Sequence, residues 1–212
     1  YKAGKDLISI YVNNHPESGL FQHKNLRLGG SSEMYQDYNT KFGDLSAILI
    51  ENLPFWVEII NTPSKKVSLM TEWETKIKAI ISEVKAEDVG SLTGVPSWMM
   101  VLLQRVLKET NHQNITELWP NLEVFFHGGI SFKPYKDQYQ TLMGNPIRYY
   151  EIYNASEGFF GIQDRSNSDE MLLMLDYGIF YEFIPMDSFG KMQEKAIPLS
   201  GVELNKNYAM VI

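Results

Sequence analysis

Cysteine is absent from all 212 residues. That gap removes thiol nucleophiles, disulfides and cysteine-ligated zinc, while leaving the compartment open. Long apolar runs are missing too. None approaches the ~20 residues needed to cross a bilayer, and no signal peptide is visible at Tyr1. The expectation is a soluble, cytoplasmic protein with no membrane partner. Positive charge is also short: 19 Lys and Arg face 26 Asp and Glu, for a net charge of −7. Lys65-Lys66 is the only adjacent basic pair, and a solvated turn accounts for it. Nucleic-acid binding needs a basic stripe to displace phosphate counterions, so no nucleic-acid partner is expected. A small phosphate ligand survives this exclusion, because backbone amides and a metal ion can neutralise it. The four histidines (His15, His23, His112, His127) show no metal-ligand spacing and read as structural or surface residues.

What is present is an ordinary globular balance, 44% hydrophobic and 21% charged. Residues 4–14 read as the end of a helix closed by His15-Pro16, and 24–28 as a short strand stopping at Gly29-Gly30. Residues 44–53 form a short helical segment ahead of Pro54. The clearest helix spans 70–85, where Trp73, Ile77, Ile80, Ile81 and Val84 share one face. Thr71 is its expected N-cap, with Glu74 completing a capping box. Residues 88–92 read as a strand ending at Gly94, and a second helix runs from Pro96, a favoured first position, to about Thr110. After Pro120 comes an apolar run, 122–126, that ends in Gly128-Gly129. A helical stretch follows at 135–143, then strands at 149–153 (broken at Asn154), 159–162, 171–175 and 180–185. Alternating helices and strands give way to strands alone, an α/β layer passing into a more antiparallel sheet. No repeat, low-complexity linker or domain boundary is evident.

Two segments look built for a ligand. In Phe125-Phe126-His127-Gly128-Gly129-Ile130-Ser131, a hydrophobic strand runs into paired glycines, which let backbone approach a flat ligand. On spacing alone, a turn that merely needs positive φ is the plainer reading of that pattern. Tyr149–Gly158 places an aromatic at a strand end, then a hydroxyl, then a carboxylate. Tyr can stack on a base, Ser can hydrogen-bond a phosphate, and Glu can hold Mg²⁺ through oxygen. An ordinary strand and turn is the plainer reading of those residues alone.

The blocks Phe126-His127-Gly128-Gly129, Glu151-Ile152-Tyr153-Asn154-Ala155-Ser156-Glu157-Gly158-Phe159-Phe160-Gly161 and Tyr181-Glu182-Phe183-Ile184-Pro185 resemble the Gretchen Hagen 3 family. These are auxin-responsive acyl-acid amido synthetases of plants, with bacterial relatives. The likeness runs from about Leu7 to the end, and Tyr-Asn-Ala-Ser-Glu is similar to the bacterial form of the second nucleotide motif. The resemblance implies the α/β, luciferase-like adenylate-forming large domain, with mixed sheets flanked by helices. It also implies chemistry in which ATP and Mg²⁺ convert a small carboxylic acid to an acyl adenylate, whose acyl group passes to an amine, typically an amino acid. Tyr153 would then pack on adenine, and Asn154 and Ala155 would line the nucleotide. Ser156 would meet the α-phosphate, Glu157 would coordinate Mg²⁺, and Gly128-Gly129 would flank the nucleotide. Catalysis would rest on Ser156 and Glu157, since a phosphoryl centre needs charge neutralised more than it needs a general base.

Two departures qualify the likeness. The family's phosphate-loop motif, Ser-Ser-Gly-Thr-Ser or a variant, is expected before Tyr1. Gly29-Gly30-Ser31-Ser32-Glu33 lacks its Gly-Thr and reads as a turn. The ribose-binding Tyr-Arg-x-Gly-Asp motif is expected after Ile212, and Asp176-Tyr177-Gly178 reads instead as a hairpin turn. Residues 1–212 are thus expected to form part of an N-terminal adenylation domain, a fragment inactive alone, without the phosphate loop or the carboxy-terminal domain. A coenzyme A acceptor, or a catalytically silent nucleotide-binding scaffold, are the rival readings. Asn114-Ile115-Thr116 and Asn154-Ala155-Ser156 fit the glycosylation sequon, with no sign of secretion. Trp98, Met99 and Met100 suit either an acyl-acid pocket or, as Trp and Met at helical spacing more often do, a core.

Overall fold

The computed structural model describes residues 2–29, 33–166, 168–191 and 195–212. Gly30, Ser31 and Ser32 of the expected turn lie outside them. The chain divides into two compact units, Tyr1–Leu172 and Leu173–Ile212. No proline- or glycine-rich linker marks the division, and nothing in the sequence reading anticipates it.

The first unit opens with α1 (Lys2–Asn14) and β1 (Lys24–Leu28). A hairpin of β2 (Met34–Asp37) and β3 (Thr40–Gly43) follows. Its strands bury no face, so they carry no alternation for a sequence reading to find. Next is α2 (Leu45–Glu51), where the Asp44 carboxylate accepts from the Ser46 amide at 2.9 Å. Short elements α3 (Phe55–Ile60), β4 (Asn61–Thr62) and α4 (Lys65–Ser68) lead into the main helix, α5 (Trp73–Val84). The N-cap of α5 is Glu72, not Thr71. The Glu72 carboxylate reaches both the Glu74 amide at 2.9 Å and the Thr75 amide at 2.7 Å, which satisfies two orphan donors with one charged group. Then come β5 (Val89–Gly94), α6 (Pro96–Thr110) with Pro96 in its first turn, and α7 (Ile115–Leu118). β6 (Val124–Gly128), α8 (Lys136–Met143), β7 (Arg148–Ala155) and β8 (Gly158–Ile162) follow, and the short β9 (Leu172–Leu173) falls at the division between the units.

Apart from the β2–β3 hairpin, which forms its own two-stranded sheet, these strands form one sheet in the order β4-β1-β5-β6-β7-β8-β9. Pairs from β4 through β7 are parallel, and β8 returns antiparallel to β7. Alternation along the parallel strands sends Leu26, Leu28, Leu92 and Phe125 to one face. There they join Ile77, Ile80, Ile81 and Val84 of α5 and Met99, Leu102, Leu103 and Val106 of α6 in one core cluster. Each fully buried aliphatic side chain contributes roughly 1.5–3 kcal/mol, so this layer dominates the stability of the unit. On the opposite face Tyr11 of α1 meets Phe126 and Tyr150 edge-on, with centroids 5.3 and 5.2 Å away. Burial first, and Glu123 second, push the Tyr11 hydroxyl up to about 12.

The second unit is an antiparallel sheet with β10 (Glu182–Pro185) between β11 (Ile197–Pro198) and β12 (Tyr208–Val211). The expected strand over 171–175 shrinks to the two residues of β9. Asp176-Tyr177-Gly178 is a turn, with Gly178 at φ 79°, but it is not a hairpin, because β9 and β10 belong to different sheets.

Candidate functional site

β6 and β7 run side by side in parallel, with Gly128 opposite Ile152, one residue before Tyr153. The two segments singled out in the sequence therefore emerge together at the carboxyl ends of neighbouring strands, where open α/β sheets gather ligands. β7 does not break at Asn154. It continues through Asn154 and Ala155, which find partners in Phe159 and Gly158 of β8. Ser156 and Glu157 are the two-residue turn that joins the strands.

The register of this hairpin shifts between Tyr153, which faces Gly161, and Asn154, which faces Phe159. Phe160 is the extra residue, a bulge of the kind that re-aims neighbouring side chains. Its buried ring lies 5.1 Å from that of Tyr153 at 57°. Tyr153 keeps 46% of its surface open, and Asn154, Ala155, Ser156 and Glu157 are exposed. The hairpin thus presents a half-open aromatic ring, a hydroxyl and a carboxylate from one short stretch of chain.

The glycines at the end of β6 have reasons of their own. A Cβ on Gly128 would come within 2.5 Å of the Ile152 carbonyl oxygen and 2.8 Å of its Cγ1. Only glycine lets the strand bearing Tyr153 approach this closely. Gly129 sits at φ 84°, in the left-handed region that glycine enters without strain. The positive-φ turn accounts for Gly129 and the close approach of β7 for Gly128, so any ligand contact comes in addition.

Behind Gly128, on the α6 side of the sheet, lies a residue the sequence reading passed over as ordinary. His127 is 2% exposed, stacked on Phe132 at 4.2 Å and 24°, and its Nδ1 has no hydrogen-bond partner. Burial pushes its pKa down to about 3, so the ring is neutral at physiological pH. Its register partner on β7 is Glu151. Burial, then the charge of Asp169, raise the Glu151 carboxyl, with Lys133 opposing. Gln163, also missed, is 5% exposed. Its Oε1 accepts from the Glu151 amide and its Nε2 donates to the Arg165 carbonyl, both at 2.9 Å. No spacing signals such a residue, because it acts as backbone does. Met99 and Met100 belong to the core, while Trp98 keeps 42% of its surface open.

Among the described residues no group of three or more His, Asp or Glu side chains could hold a metal ion. Glu157 stands as a single carboxylate on an exposed turn. Mg²⁺ is characteristically held by one or two carboxylates together with substrate phosphates, so the turn suits an ion that arrives with a nucleotide. Among the described residues no helix is long and apolar enough to cross a membrane.

Residues 1–147 match the GH3 family N-terminal domain, and residues 172–212 match the GH3 family central domain. The chain belongs to the GH3 family. Its second matched segment begins where the structure divides. The block Phe126–Gly129 lies in the N-terminal match and Tyr181–Pro185 in the central match, while Glu151–Gly161 falls between them. Among solved structures, the fold is similar to that of GH3.15 acyl acid amido synthetase, with TM-score 0.73 at 10% identity over 96% of this chain and 45% of that one. A second structure, AtGH3.15 acyl acid amido synthetase in complex with 2,4-DB, gives TM-score 0.68 at 11% identity over 96% and 44%. This GH3-family chain thus spans less than half the length of those proteins. No curated protein sequence matches it. The expected fold is the one found, a mixed parallel and antiparallel sheet flanked by helices.

Proposed function

We propose that this chain is the nucleotide-holding part of an ATP-dependent acyl-acid amido synthetase, within the family's large adenylation domain. One observation carries the reading. The β7–β8 hairpin sets Tyr153, Ser156 and Glu157 on one short stretch at the strand carboxyl ends, one register step from Gly128. In this reading the half-open Tyr153 ring packs on adenine, with Asn154 and Ala155 along the base. Ser156 would donate to the α-phosphate, and Glu157 would hold the Mg²⁺ that comes with ATP, which would supply charge neutralisation at the phosphoryl group. The carboxylate of a small-molecule acid attacks the α-phosphorus and pyrophosphate leaves; the amine of an amino acid then attacks the acyl carbon, forming the amide and releasing AMP and a proton. The phosphate-loop and ribose motifs are not among these 212 residues. Family membership and the likeness to acyl acid amido synthetase structures support this assignment.

The test is equilibrium binding of ATP to the chain, with and without Mg²⁺, followed by amide chemical shifts. Residues 153–158 and Gly128 should respond together, and Glu157→Gln should erase the Mg²⁺ dependence of that response. Shifts confined to another part of the fold would sink the assignment.

A further inference from the structure

On β7 the alternation of a strand places Tyr149, Glu151 and Tyr153 on one face, about 7 Å apart in succession. Register sets Tyr149 beside Phe125 and Glu151 beside His127, so this is the face that carries the core under α6 and α8. Tyr149 packs on Phe132 at 4.7 Å and lines a cavity of about 250 Å³, whose other walls are Gln140, Gly144, Asn145, Pro146 and Ile147. No wall is charged. A cavity of roughly 150 Å³ already admits benzene, so this one has room for the uncharged body of a small molecule. Glu151 stands between that cavity and the half-open Tyr153 ring. Its amide and carbonyl both engage Gln163, yet among the described residues no hydrogen bond or ion pair reaches its half-buried carboxylate. Burial, then the charge of Asp169, disfavour the ionised form. Lys133 favours it, but Lys133 is engaged with Asp169 at 3.6 Å, with both side chains largely in water. His127 is neutral and would not repel a cation here. A carboxylate drawn partly out of water is stabilised by a cation that brings N–H donors, and neighbouring aromatic rings stabilise that cation further.

We infer that Glu151 is the receptor for the ammonium group of a substrate whose uncharged body occupies the cavity beside Tyr149. Gly128 follows the register partner of Glu151, which sets this receptor next to both segments that flank the nucleotide. A substrate without the ammonium would cover the carboxylate and return nothing for the water it loses, so the site selects against it. The ammonium belongs either to the acceptor amino acid or to an acyl acid that carries an amine. The inference rests on the proposed function only for which of those two substrates it is.

Two matched pairs of probes, titrated into the full chain and followed by amide chemical shifts, test this. For an acyl acid the pair is 4-(aminomethyl)benzoate against 4-methylbenzoate, and for the acceptor it is phenylalanine against 3-phenylpropanoate. The members of each pair differ only in the amine. At least one pair should separate by about 10- to 100-fold in Kd, the range of a hydrogen bond to a charged group, with residues 149–153 responding. Which pair separates tells the acid from the acceptor. Glu151→Met removes the acceptor atoms and should abolish the separation, while Glu151→Gln keeps an oxygen without its charge and should leave a smaller one. In the wild type, the ammonium probe should also lower the pH at which the Glu151 carboxyl takes up its proton, and its matched partner should not. That measurement decides alone if Glu151→Met does not fold. Equal affinities within both pairs, a separation undiminished in Glu151→Met, or a Glu151 titration that the ammonium probe leaves in place would each overturn the inference. An ammonium-dependent response in a chain whose hairpin ignores Mg²⁺-ATP keeps this site and discards the proposed function; the converse discards only the site.

Discussion

Gln163 and Glu151 are joined twice. The Gln163 amide donates to the Glu151 carbonyl at 2.9 Å, and the Gln163 side chain accepts from the Glu151 amide at 2.9 Å. The ladder of β8 ends at Ile162, so the amide of Glu151 would face no strand. The glutamine side chain stands in for one. This pins the hairpin on one side of the Phe160 bulge, while the Ser156-Glu157 turn pins it on the other, and a slip between them would re-aim Tyr153.

Gln163→Leu should therefore cost more than its exposed counterparts on the hairpin. It fills the same space but leaves the Glu151 amide without an acceptor, a penalty of about 1–3 kcal/mol. At roughly 2–4 °C per kcal/mol for a chain of this size, the Tm should fall by several degrees. Hydrogen exchange at the Glu151 amide should speed up locally as well. An unchanged exchange rate at that amide would show that Gln163 pins nothing.

Gly128→Ala and Gly129→Ala should separate two kinds of glycine. An added Cβ at Gly128 meets the Ile152 backbone at 2.5 Å, which only a shift of β7 can relieve. At Gly129 the nearest contact is Val95 Cγ2 at 3.4 Å, so the cost there is the φ of 84° alone. Both should lose stability, on the order of 1–3 kcal/mol for overpacking and 1–2 kcal/mol for a left-handed alanine. Only Gly128→Ala should also move the amide shifts of residues 152–155. Comparable movement in Gly129→Ala would mean that the close approach of β6 and β7 is not what requires glycine.

Some of this was legible in the sequence, for identifiable reasons. The faces of α5 and α6 follow from apolar spacing, and Pro96 opens α6 as its fixed φ favours. Gly128 and Tyr153 come together because β6 ends at Gly128 and its parallel neighbour β7 carries Tyr153 one residue past the Gly128 register partner, Ile152. The β2–β3 hairpin was invisible, since none of its residues is buried. Thr71 was a plausible cap by type, yet a longer carboxylate one position on reached two amides and displaced it. Asn154 was read as a breaker because it is a turn former, but the antiparallel return of β8 supplied its partner from outside the local sequence. His127 and Gln163 share one cause of invisibility: each is defined by what its polar atoms do or do not meet across the sheet, and spacing along the chain does not record that.

His127 gives stability a pH dependence whose sign is fixed. Its folded pKa, about 3, lies below its ordinary value of 6.5. Between those values the unfolded chain binds the extra proton, so stability is full above pH 6.5 and falls as the pH drops, by up to about 1.4 kcal/mol per unit. His15 is lowered by burial and by Arg148, and acts with the same sign. Glu151, raised by burial, acts with the opposite sign just above its ordinary range. The contribution of His127 is thus read from a difference. In His127→Phe, which keeps the stack on Phe132, urea unfolding should lose less stability between pH 7 and pH 5 than in the wild type. Identical losses in the two proteins would show that His127 titrates normally.

The last prediction ranks the hairpin residues in the whole enzyme of the proposed function, by ATP–pyrophosphate exchange. Glu157→Gln keeps size and removes charge. The exposed turn has no described partner whose loss would unfold it, so the fold should survive while Mg²⁺ affinity and charge stabilisation fall. One electrostatic contact of this kind typically carries about 10²–10³ in rate, or roughly 3–4 kcal/mol. Ser156→Ala deletes a neutral donor and should cost about 1 kcal/mol, near fivefold. Tyr153→Phe should cost least, because packing on a base needs the ring and its support from Phe160, not the hydroxyl. The order Glu157, Ser156, Tyr153 is what distinguishes a nucleotide site from a strand and a turn, for which all three exposed substitutions would be nearly silent. If exchange tolerates Glu157→Gln with undiminished Mg²⁺ dependence, Glu157 is not the metal ligand, and the hairpin has to be read as structure alone.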